Sequence, residues 1–518
     1  MLFAASVAAA GPWCRESPAQ VVLPPGFGQP GGQTVPTAAY DLAQQALIEG
    51  SFTAALEIAV TEYQGGVKLG AQRWIDSIAA AAIVGECRYE LGSLREAVAA
   101  YEEALLVSAA HPDWLLAVQF PPQPLRPLPQ QRVATWGRSR RNTSPAQLPQ
   151  TMTIRRGGAD PQQVLQRGGV LAAAADYPIR PHEIVRSLVI SLYRHGELLG
   201  ELATVSPAVD AATRGLVKRP APPNHYSQCW IDIALGTAYW AQGKSDLAIP
   251  LLERGLLIGN QLDHPLTAWG LIVLGRIALA SDRAGDAAKL FEEASYSAAD
   301  YGDARALEEA FRLAFSAHMA AGTRGVPAAI RGGCDWSRTG LPVLHTRLLA
   351  MQAQCLSAAG DQRQAAAAVK EIDGRLLRAD PGRGTAGVDA AYAAAVVNYA
   401  TGDIVAGDGD LDRCLSIAKR RSPRLFQTQR LVELLTEGST VVTDRQAEVM
   451  FARLLGDPAA RDYAIDPVET LASISSPRRE AFDAWVTVAS RRGEETALMA
   501  AEAAARNRWL STQPLGGR

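Results

Sequence analysis

Small and large apolar residues recur along this chain at a spacing that predicts paired antiparallel helices. Gly85 is followed seven residues later by Gly92, and then by Ala97, Tyr101 and Ala104 at steps of five, four and three. The same frame returns at Gly236, Gly243, Ala248, Leu252 and Gly255, and with one change at Gly275, Asp282, Ala287, Phe291 and Ala294. Glycine between two apolar stripes is typical of a helix that stops and reverses within one or two residues. The pattern therefore predicts an all-α solenoid of stacked helix pairs.

Each position of the frame has a predicted packing role. A small residue in the first helix, such as Gly85, lets the partner helix approach closely, and Ala97 does the same from the second helix. The large residue four positions on, here Tyr101, is expected to fill the groove that leads to the next repeat. The residues expected to pack the repeats are Gly50, Ala55, Gly85, Gly92, Ala97, Tyr101, Gly236, Tyr239, Gly243, Ala248, Gly275, Ala287, Phe291 and Gly360.

Turn residues and Pro-rich stretches divide the chain into six segments. These are a leader (1–37), repeats (38–112), an insertion (113–227), repeats (228–322), degenerate repeats (323–422) and C-terminal helices (423–518). The expected helix pairs are 38–49 with 52–64, 71–91 with 93–108, 305–321 with 324–331, 343–359 with 361–376, and 386–401 with 411–420. The expected C-terminal helices are 423–437, 443–456, 477–490 and 493–510.

The insertion combines a basic segment with prolines that exclude a long helix. Residues 114–158 contain no Asp or Glu but carry Arg126, Arg132, Arg138, Arg140, Arg141, Arg155 and Arg156. Within them, 115–120 and 151–155 are expected to be extended and to pair as a small hairpin on the solenoid, with helix again at 161–167 and 181–203. The arginines allow three interpretations: a solvated loop, docking onto acidic helices of the same chain, or a patch for an external anionic partner.

Composition adds limits to this picture. A chain of 518 residues is too long for one compact core, but a solenoid avoids that limit because each repeat packs against its neighbours. A formal charge of -2 argues against a nucleic-acid binder. The sequence contains no run of eighteen apolar residues, so it predicts no membrane-spanning helix. The six cysteines form no C-x-x-C pair, so we expect buried small side chains and neither a disulfide framework nor a zinc site.

The two ends of the chain carry further expectations. Leu2–Ala10 is apolar, and Ala8, Ala9 and Ala10 before Gly11 fit a signal-peptide cleavage site, although no positive residue precedes the run. This predicts export to the periplasm or beyond the cell; the alternative is an apolar tail on a cytoplasmic protein. Residues 515–518 end the chain without a polar capping helix, which predicts a fragment.

Motifs that carry chemistry are incomplete, which predicts a chain that is not an enzyme and holds no cofactor or metal. The G-x-G-x-x-G at 382–387 follows no strand, so it is expected to be a loop. His182 and Glu183 lack the second histidine of a zinc-protease helix. Asp408, Asp410 and Asp412 resemble the start of a calcium loop, but Arg413 and Lys419 stand where glycine and glutamate belong. Cys334 and His345 are the only cysteine and histidine close enough in sequence to suggest a nucleophile and its base. We expect them to be packed side chains and not a catalytic pair.

The repeat frame resembles the tetratricopeptide repeat, with Gly236, Tyr239, Gly243 and Ala248 as the best single match. Gly243 and Asp282 are 39 residues apart, slightly longer than the repeat length of about 34 in that family. Asp282 also replaces a turn glycine. The resemblance covers about half the chain, with two strong copies and several degenerate ones.

A wider resemblance rests on local phrases, VQFPP, WGRSRRN, PHEIVR and NRWLSTQPLGGR, which look like large planctomycete-type bacterial repeat proteins. In those proteins a caspase-like peptidase domain called CHAT follows the repeats. The histidine and cysteine of such a domain cannot be placed in 1–518, so protease activity is not implied for these residues.

Two function hypotheses follow. The first is a non-enzymatic scaffold whose concave face, lined by the first helix of each pair, binds a protein or peptide while the insertion modulates access. The alternative is the regulatory and substrate-recognition half of a larger peptidase, in which case the partner is the chain's own domain beyond Arg518. A nucleic-acid partner is disfavoured by the charge.

Overall fold

The computed structural model describes residues 36–69, 72–121, 125–128, 134–156, 175–372, 384–438 and 441–512. This part of the chain forms 22 α-helices and a few short strands, so the predicted all-α solenoid is confirmed. Ten helices lie before Gly302: Ala38–Ile48 (α1), Phe52–Gly65 (α2), Ser77–Glu90 (α3), Leu94–Ala110 (α4), Pro181–Leu199 (α5), Pro207–Val217 (α6), Ser227–Ala241 (α7), Ser245–Gly255 (α8), Thr267–Ala280 (α9) and Ala284–Tyr301 (α10).

Twelve helices follow: Ala304–Ala320 (α11), Ala328–Ser337 (α12), Pro342–Ala358 (α13), Gln362–Glu371 (α14), Thr385–Thr401 (α15), Ile404–Arg421 (α16), Pro423–Thr436 (α17), Asp444–Leu455 (α18), Ala460–Ile465 (α19), Pro467–Ile474 (α20), Arg479–Ser490 (α21) and Glu494–Leu510 (α22). Sequence neighbours such as α3 with α4, α7 with α8, α9 with α10 and α15 with α16 pack as hairpins.

Glycine with positive φ reverses the chain between the helices of a pair. At Gly92 φ is 75°, the Gly92 amide donates to the Tyr89 carbonyl, and the Ser93 amide donates to the Arg88 carbonyl. This pattern of two bonds satisfies the last carbonyls of the helix and requires the left-handed conformation that glycine adopts without strain. Asp282 occupies the same place with φ of 61°, so the divergent copy keeps the turn with an aspartate.

The large residue of the frame lies against the glycine of its own pair. A Cβ built on Gly85 would lie 2.3 Å from the Tyr101 ring, and one on Gly275 would lie 2.4 Å from Phe291. A Cβ on Gly236 would meet Leu252 at 2.6 Å. The sequence placed these large side chains in the groove towards the next repeat; instead they cover the glycine, which is why that position has no side chain. The paired alanines, Ala55, Ala97, Ala248 and Ala287, are fully buried.

Several predicted bounds were wrong. The helix expected at 71–91 begins only at Ser77, because Gln72–Arg73 (β2) pairs with Lys68–Leu69 (β1) in a short antiparallel turn. The helix expected at 324–331 is α12, which Pro327 delays to Ala328. The sequence missed α6, α19 and α20, which are short. The expected helix at 161–167 lies outside the described residues.

The insertion contributes two small sheets. Val118–Gln119 (β3) pairs antiparallel with Met152–Arg156 (β6), as the sequence expected, although 114–117 form a 3-10 turn and Ala175–Ile179 (β7) adds an unforeseen third strand. In the second sheet Arg126–Pro127 (β4) pairs with Ser144–Gln147 (β5), and β5 runs parallel to Leu262–Asp263 (β8) of the repeat region. The insertion is thereby hydrogen-bonded to the solenoid.

Contacts between distant elements close the superhelix on itself. The first helices do not only pack against their sequence neighbours: α1 reaches α13, α5 reaches α17, and α11 reaches α19. A second apolar cluster joins the C-terminal helices to α4 through Tyr101, Phe426, Phe451 and Trp485. The expectation that each repeat packs only against its neighbours was therefore wrong for this chain.

Candidate ligand cavity on the inner face

A cavity of about 570 Å³ lies on the inner face, between the first repeats and the insertion. Its walls come from α1, α3, α5, the turn between α10 and α11, the turn between α12 and α13, and the β4–β5 region of the insertion. Gln150, Gly302 and Gly340 line it and are exposed, so they form its rim. Its volume falls in the range of about 300–1,000 Å³ that is usual for ligand sites.

One wall of the cavity is polar and centres on Glu183. Arg186 Nη2 and Nε donate to Glu183 Oε1 and Oε2 at 2.7 and 2.9 Å, and the Gln44 amide donates to Oε1 at 3.0 Å. The Tyr40 hydroxyl donates to the same carboxylate. Burial opposes ionisation of Glu183, but the Arg186 charge and these hydrogen bonds outweigh it and lower its pKa. Glu183 is therefore an anion held in a fixed orientation.

Arg186 connects this wall to the α10–α11 turn. Its Nη1 donates to Asp303 Oδ2 at 3.0 Å, and Trp269 Nε1 donates to the same oxygen at 3.0 Å. Asp303 Oδ1 caps α11 by accepting the Ala306 amide at 3.1 Å. Burial disfavours the charge on Arg186, yet Asp303 and Glu183 keep its pKa above the usual value. All three nitrogens of this guanidinium thus have carboxylate acceptors.

His182 lines the cavity beside Glu183 but carries no charge at neutral pH. Burial lowers the pKa of its imidazole to about 4. The imidazole adds a polar surface to the wall without adding a cation.

Much of the remaining lining is apolar, and the insertion supplies part of it. Leu128, Ala146 and Leu148 come from the insertion, and Trp336 and Leu341 come from the α12–α13 turn. The Tyr301 hydroxyl fixes the insertion's part, because it accepts the Ala146 amide at 2.7 Å and donates to the Asp263 carbonyl at 2.6 Å. The cavity lining thus combines charged groups with aliphatic and aromatic ones.

Behind the cavity the inner helices pair with one another through buried charges. Arg194 Nε donates to Glu86 Oε1 at 3.1 Å and Arg194 Nη1 to Glu197 Oε2 at 2.6 Å. Glu197 Oε1 also accepts from Arg276 and Arg312 at 3.1 Å. Among the described residues, the chain's own ion pairs therefore occupy part of the concave face that the sequence assigned to a partner, and the cavity lies unfilled beside them.

Glu90 holds the network together at the centre. It is 1% exposed and accepts from Arg305, Arg347 and Arg421 at 3.1, 3.3 and 3.3 Å, while the Thr385 amide donates to it at 3.2 Å. Burial opposes its charge, but the arginines lower its pKa well below the usual value. Since these partners lie on α11, α13, α16 and at the start of α15, one carboxylate joins four distant helices to α3.

The arginines of the insertion do not form one patch. Arg141 donates to Asp263 Oδ2 at 3.0 Å and is mostly buried, and Arg155 pairs with Asp176 at the surface. Arg126, Arg138 and Arg140 are exposed. Arg132 and the side chain of Arg156 lie outside the described residues. Of the three interpretations of these arginines, docking onto the same chain is the one that fits Arg141.

Trp136 anchors the insertion more firmly than any of its charges. Its ring is buried, its Nε1 donates to Ser295 Oγ at 2.9 Å, and it contacts Phe311 and Trp336 edge to face. The neighbouring Ser139 hydroxyl donates to Glu293 at 2.6 Å. The segment 134–141 is thus docked on α10 and α12.

The other candidate motifs have structural roles. His345 Nδ1 contacts the Cys334 carbonyl oxygen at 3.0 Å, and burial raises the pKa of the Cys334 thiol to about 12, so this pair is no activated nucleophile. Asp410 lies within α16 and accepts from Asn398 and Arg413. Gly384 is the N-cap of α15, while Gly382 lies outside the described residues. No group of His, Cys, Asp and Glu in the described ranges is arranged to hold a metal ion.

The polar wall has no signature in the sequence. Tyr40, Glu183 and Asp303 are separated by more than a hundred residues each, and only the fold brings them together. Glu183 and Arg186 show the i, i+3 spacing of a helical ion pair, but such pairs are usually on solvated surfaces.

Comparison with known proteins gives one family match. Within the part of the chain that is described, no helix is long and apolar enough to cross a membrane. No curated protein matches the chain. Residues 227–295, which comprise α7, α8, α9 and most of α10, match the family model described as Tetratricopeptide repeat. The planctomycete-type resemblance has no counterpart among these findings. The segment 227–295 is therefore similar to tetratricopeptide repeats.

Proposed function

We propose that this protein is a non-enzymatic scaffold that binds a protein or peptide at the inner-face cavity. Tetratricopeptide repeats are generally protein-interaction scaffolds, and the match at 227–295 includes most of α10, the helix whose last turn, beyond the match, lines the cavity. The observation that carries the proposal is the cavity itself, because the inner helices behind it are engaged with one another in ion pairs. The insertion forms one wall, which supports a role in controlling access.

The proposal is tested by selecting random peptides displayed on phage against the immobilised full chain. Enriched clones should lose binding to Leu148→Lys, which places a charged chain in the apolar part of the lining. They should keep binding to Leu247→Lys, because Leu247 is 50% exposed on α8 and does not line the cavity. Enrichment of no clone, or of clones that bind both variants equally, would count against this function.

Two finer predictions rest on the sequence alone. The phrases shared with planctomycete-type repeat proteins support the alternative of a regulatory half for a CHAT peptidase, and reading the coding sequence after Arg518 tests it. The apolar run Leu2–Ala10 supports export, and N-terminal sequencing of the protein from its own cells tests that.

A further inference from the structure

Residues 134–147 of the insertion lie on the repeats as a bound peptide lies on its receptor. Only two of their side chains, those of Trp136 and Ala146, are buried, and the others are partly or fully exposed. In complexes between a protein and a peptide, affinity is concentrated in a few buried anchors, among which tryptophan is prominent. The segment is thus held to the repeats at two points.

The repeats form a pocket for the first anchor. The centroid of the Trp136 ring lies 5.1 Å from that of Phe311 and 6.2 Å from that of Tyr296, on which it stacks. Its Nε1 donates to Ser295 Oγ at 2.9 Å. A Cβ built on Gly332 would lie 2.7 Å from Trp136 Cα, so the missing side chain there makes room for the backbone of the segment. The pocket therefore fits an indole and supplies an acceptor for its N–H group.

Polar groups of the repeats then recognise the main chain of the segment. Glu293 Oε1 accepts the Arg140 amide at 2.9 Å, and Glu293 Oε2 accepts the Ser139 hydroxyl at 2.6 Å. The Ser144 amide donates to the Gln261 carbonyl at 3.2 Å, beside the parallel pairing of β5 with β8. Main-chain hydrogen bonds to a strand edge are one of the ways in which proteins hold extended peptides. Such contacts do not require that the segment belong to the same chain.

Two further positions define the sequence that fits this surface. Gly137 has φ of 150°, and a Cβ there would lie 2.5 Å from the Tyr296 hydroxyl, so glycine must follow the tryptophan. Arg141 Nη1 donates to Asp263 Oδ2 at 3.0 Å, and both side chains are mostly buried. Because a buried carboxylate without a cation is costly, the surface favours arginine at this position. The fitting pattern is Trp-Gly-x-Ser-x-Arg.

We propose that this surface, formed by α10, α11, α12 and β8, is a binding site for an extended segment of another protein with the pattern Trp-Gly-x-Ser-x-Arg, and that residues 134–147 occupy it as an internal competitor. The observations that carry this are the attachment at two points, the indole pocket and the recognition of main-chain groups by the repeats. The inference goes beyond the proposed function. Its site adjoins the cavity, since Tyr301 and Trp336 belong to both, but its ligand is different.

A tethered segment competes strongly with a free one. A segment joined to its site by the chain has an effective concentration on the order of millimolar. A free peptide that makes the same contacts therefore binds the natural chain only weakly. A partner must bind more tightly than the internal segment, or bind after that segment is released. The natural chain is thus expected to occupy its own site, and a vacated variant is expected to bind the peptide.

The test uses the full chain and a fluorescein-labelled peptide with the sequence of residues 134–147. Trp136→Ala removes the anchor of the internal segment and vacates the pocket. Fluorescence anisotropy should give a Kd at least about tenfold lower for this variant than for the natural chain, because the internal competitor is gone. Trp136→Phe keeps an aromatic ring but loses the Ser295 bond and should fall between the two. It decides the question if circular dichroism shows that Trp136→Ala does not fold.

Matched controls locate binding at the site. The same peptide with alanine in place of its tryptophan should bind the Trp136→Ala chain at least about tenfold more weakly. Gly332→Ala, added to Trp136→Ala, should weaken binding of the natural peptide by a similar factor, because its Cβ would meet the backbone of the peptide's tryptophan. Gly409→Ala, added in the same way, is the control: this helical glycine is exposed and has no atom within 4 Å of a new Cβ, so binding should not change.

Equal binding of the peptide to the natural chain and to the folded Trp136 variants, or binding to none of them, would overturn this inference. So would binding that does not depend on the peptide's tryptophan. Neither result touches the proposed function, because the phage selection uses the natural chain with its insertion in place. A selection that enriches no clone would equally leave the binding of this peptide to be decided by its own measurement.

Discussion

At the scale of single residues, three helix pairs depend on the missing side chain of a glycine. Gly85, Gly236 and Gly275 each face a large residue of the partner helix at distances that leave no room for a methyl group. Protein interiors are packed too densely to absorb such a change without moving a helix. The glycines therefore set how closely the two helices approach.

Gly85→Ala should lower the free energy of unfolding by about 1–3 kcal/mol, because its Cβ would lie 2.3 Å from the buried Tyr101 ring. Urea denaturation followed by circular dichroism measures this. Gly409→Ala is the matched control: Gly409 lies in α16, is exposed, and has no atom within 4 Å of a new Cβ. That control should be neutral or stabilising by up to about 1 kcal/mol, and equal losses in both variants would contradict the argument.

A second residue-scale prediction concerns Glu469. Burial and the nearby Asp466 charge raise the pKa of its carboxyl from 4.5 to about 7, partly offset by hydrogen bonds from Ser422 and the Arg424 amide. Because the folded state holds the proton more tightly, this group stabilises the fold below pH 4.5 and loses that contribution as pH rises through 7.

Glu469→Gln keeps an oxygen for the same two donors and removes the titration. The stability of the variant relative to the natural chain should therefore rise between about pH 5 and pH 8, by on the order of 1–2 kcal/mol. Denaturant titrations of both proteins at the two pH values measure this difference. The buried histidines contribute equally to the stability of both proteins, so their contribution cancels. A difference that is constant with pH would show that Glu469 ionises as an ordinary glutamate does.

At the scale of elements, the insertion is held to the repeats by a few long-range contacts. Trp136 lies in the core beside Ser295, and Tyr301 bonds both Ala146 of β5 and Asp263 of β8. These contacts position the insertion's part of the cavity lining. They also explain why this segment, whose prolines exclude a long helix, is nevertheless attached to the solenoid.

Tyr301→Phe removes the hydroxyl that accepts the Ala146 amide and should weaken attachment of β5 by about 1–2 kcal/mol. Hydrogen exchange of residues 144–147 should become faster while exchange in α9 and α10 stays close to the natural rate. Tyr399→Phe is the control, since that hydroxyl donates to Asp408 within its own helix pair. Unchanged exchange at 144–147 would mean that β5 is held by its strand partners alone.

How far the sequence predicts these elements depends on the range of the forces involved. Helix pairs follow from local spacing, so α1, α2, α4, α11, α13 and α15 begin and end within two residues of their expected bounds. An exception is the start of α16, expected at 411 and found at Ile404, because Asp403 caps the helix and outweighs the glycines that follow. Docking of Trp136 depends on a partner 159 residues away, which no local pattern contains.

At the scale of the whole molecule, the repeats form a closed structure and not an open groove. Glu90 on α3 meets arginines from α11, α13 and α16, the last of them 331 residues further along the chain. The cavity wall has the same origin, since Tyr40 and Glu183 are 143 residues apart. The sequence could predict that helices stack, but not which inner faces meet, because that depends on the curvature summed over many repeats.

Glu90→Gln should destabilise the protein by about 3–5 kcal/mol, because it leaves buried arginines without their shared carboxylate. Thermal unfolding measures the loss, and small-angle scattering should show a larger radius of gyration if the closure loosens. Glu371→Gln breaks the exposed pair with Arg338 and should cost no more than about 1 kcal/mol. A similar small cost at Glu90 would mean that apolar packing alone closes the superhelix.

The bond between Glu90 and Arg421 has a consequence for synthesis on the ribosome. Repeat proteins that depend only on adjacent repeats can finish folding as they emerge. Here, in contrast, Glu90 on an early helix pairs with Arg421, which is synthesised more than three hundred residues later. Until then Glu90 lacks this partner. Closure through this pair is thus expected late in synthesis, and a chain interrupted before α16 would lack the Glu90–Arg421 contact.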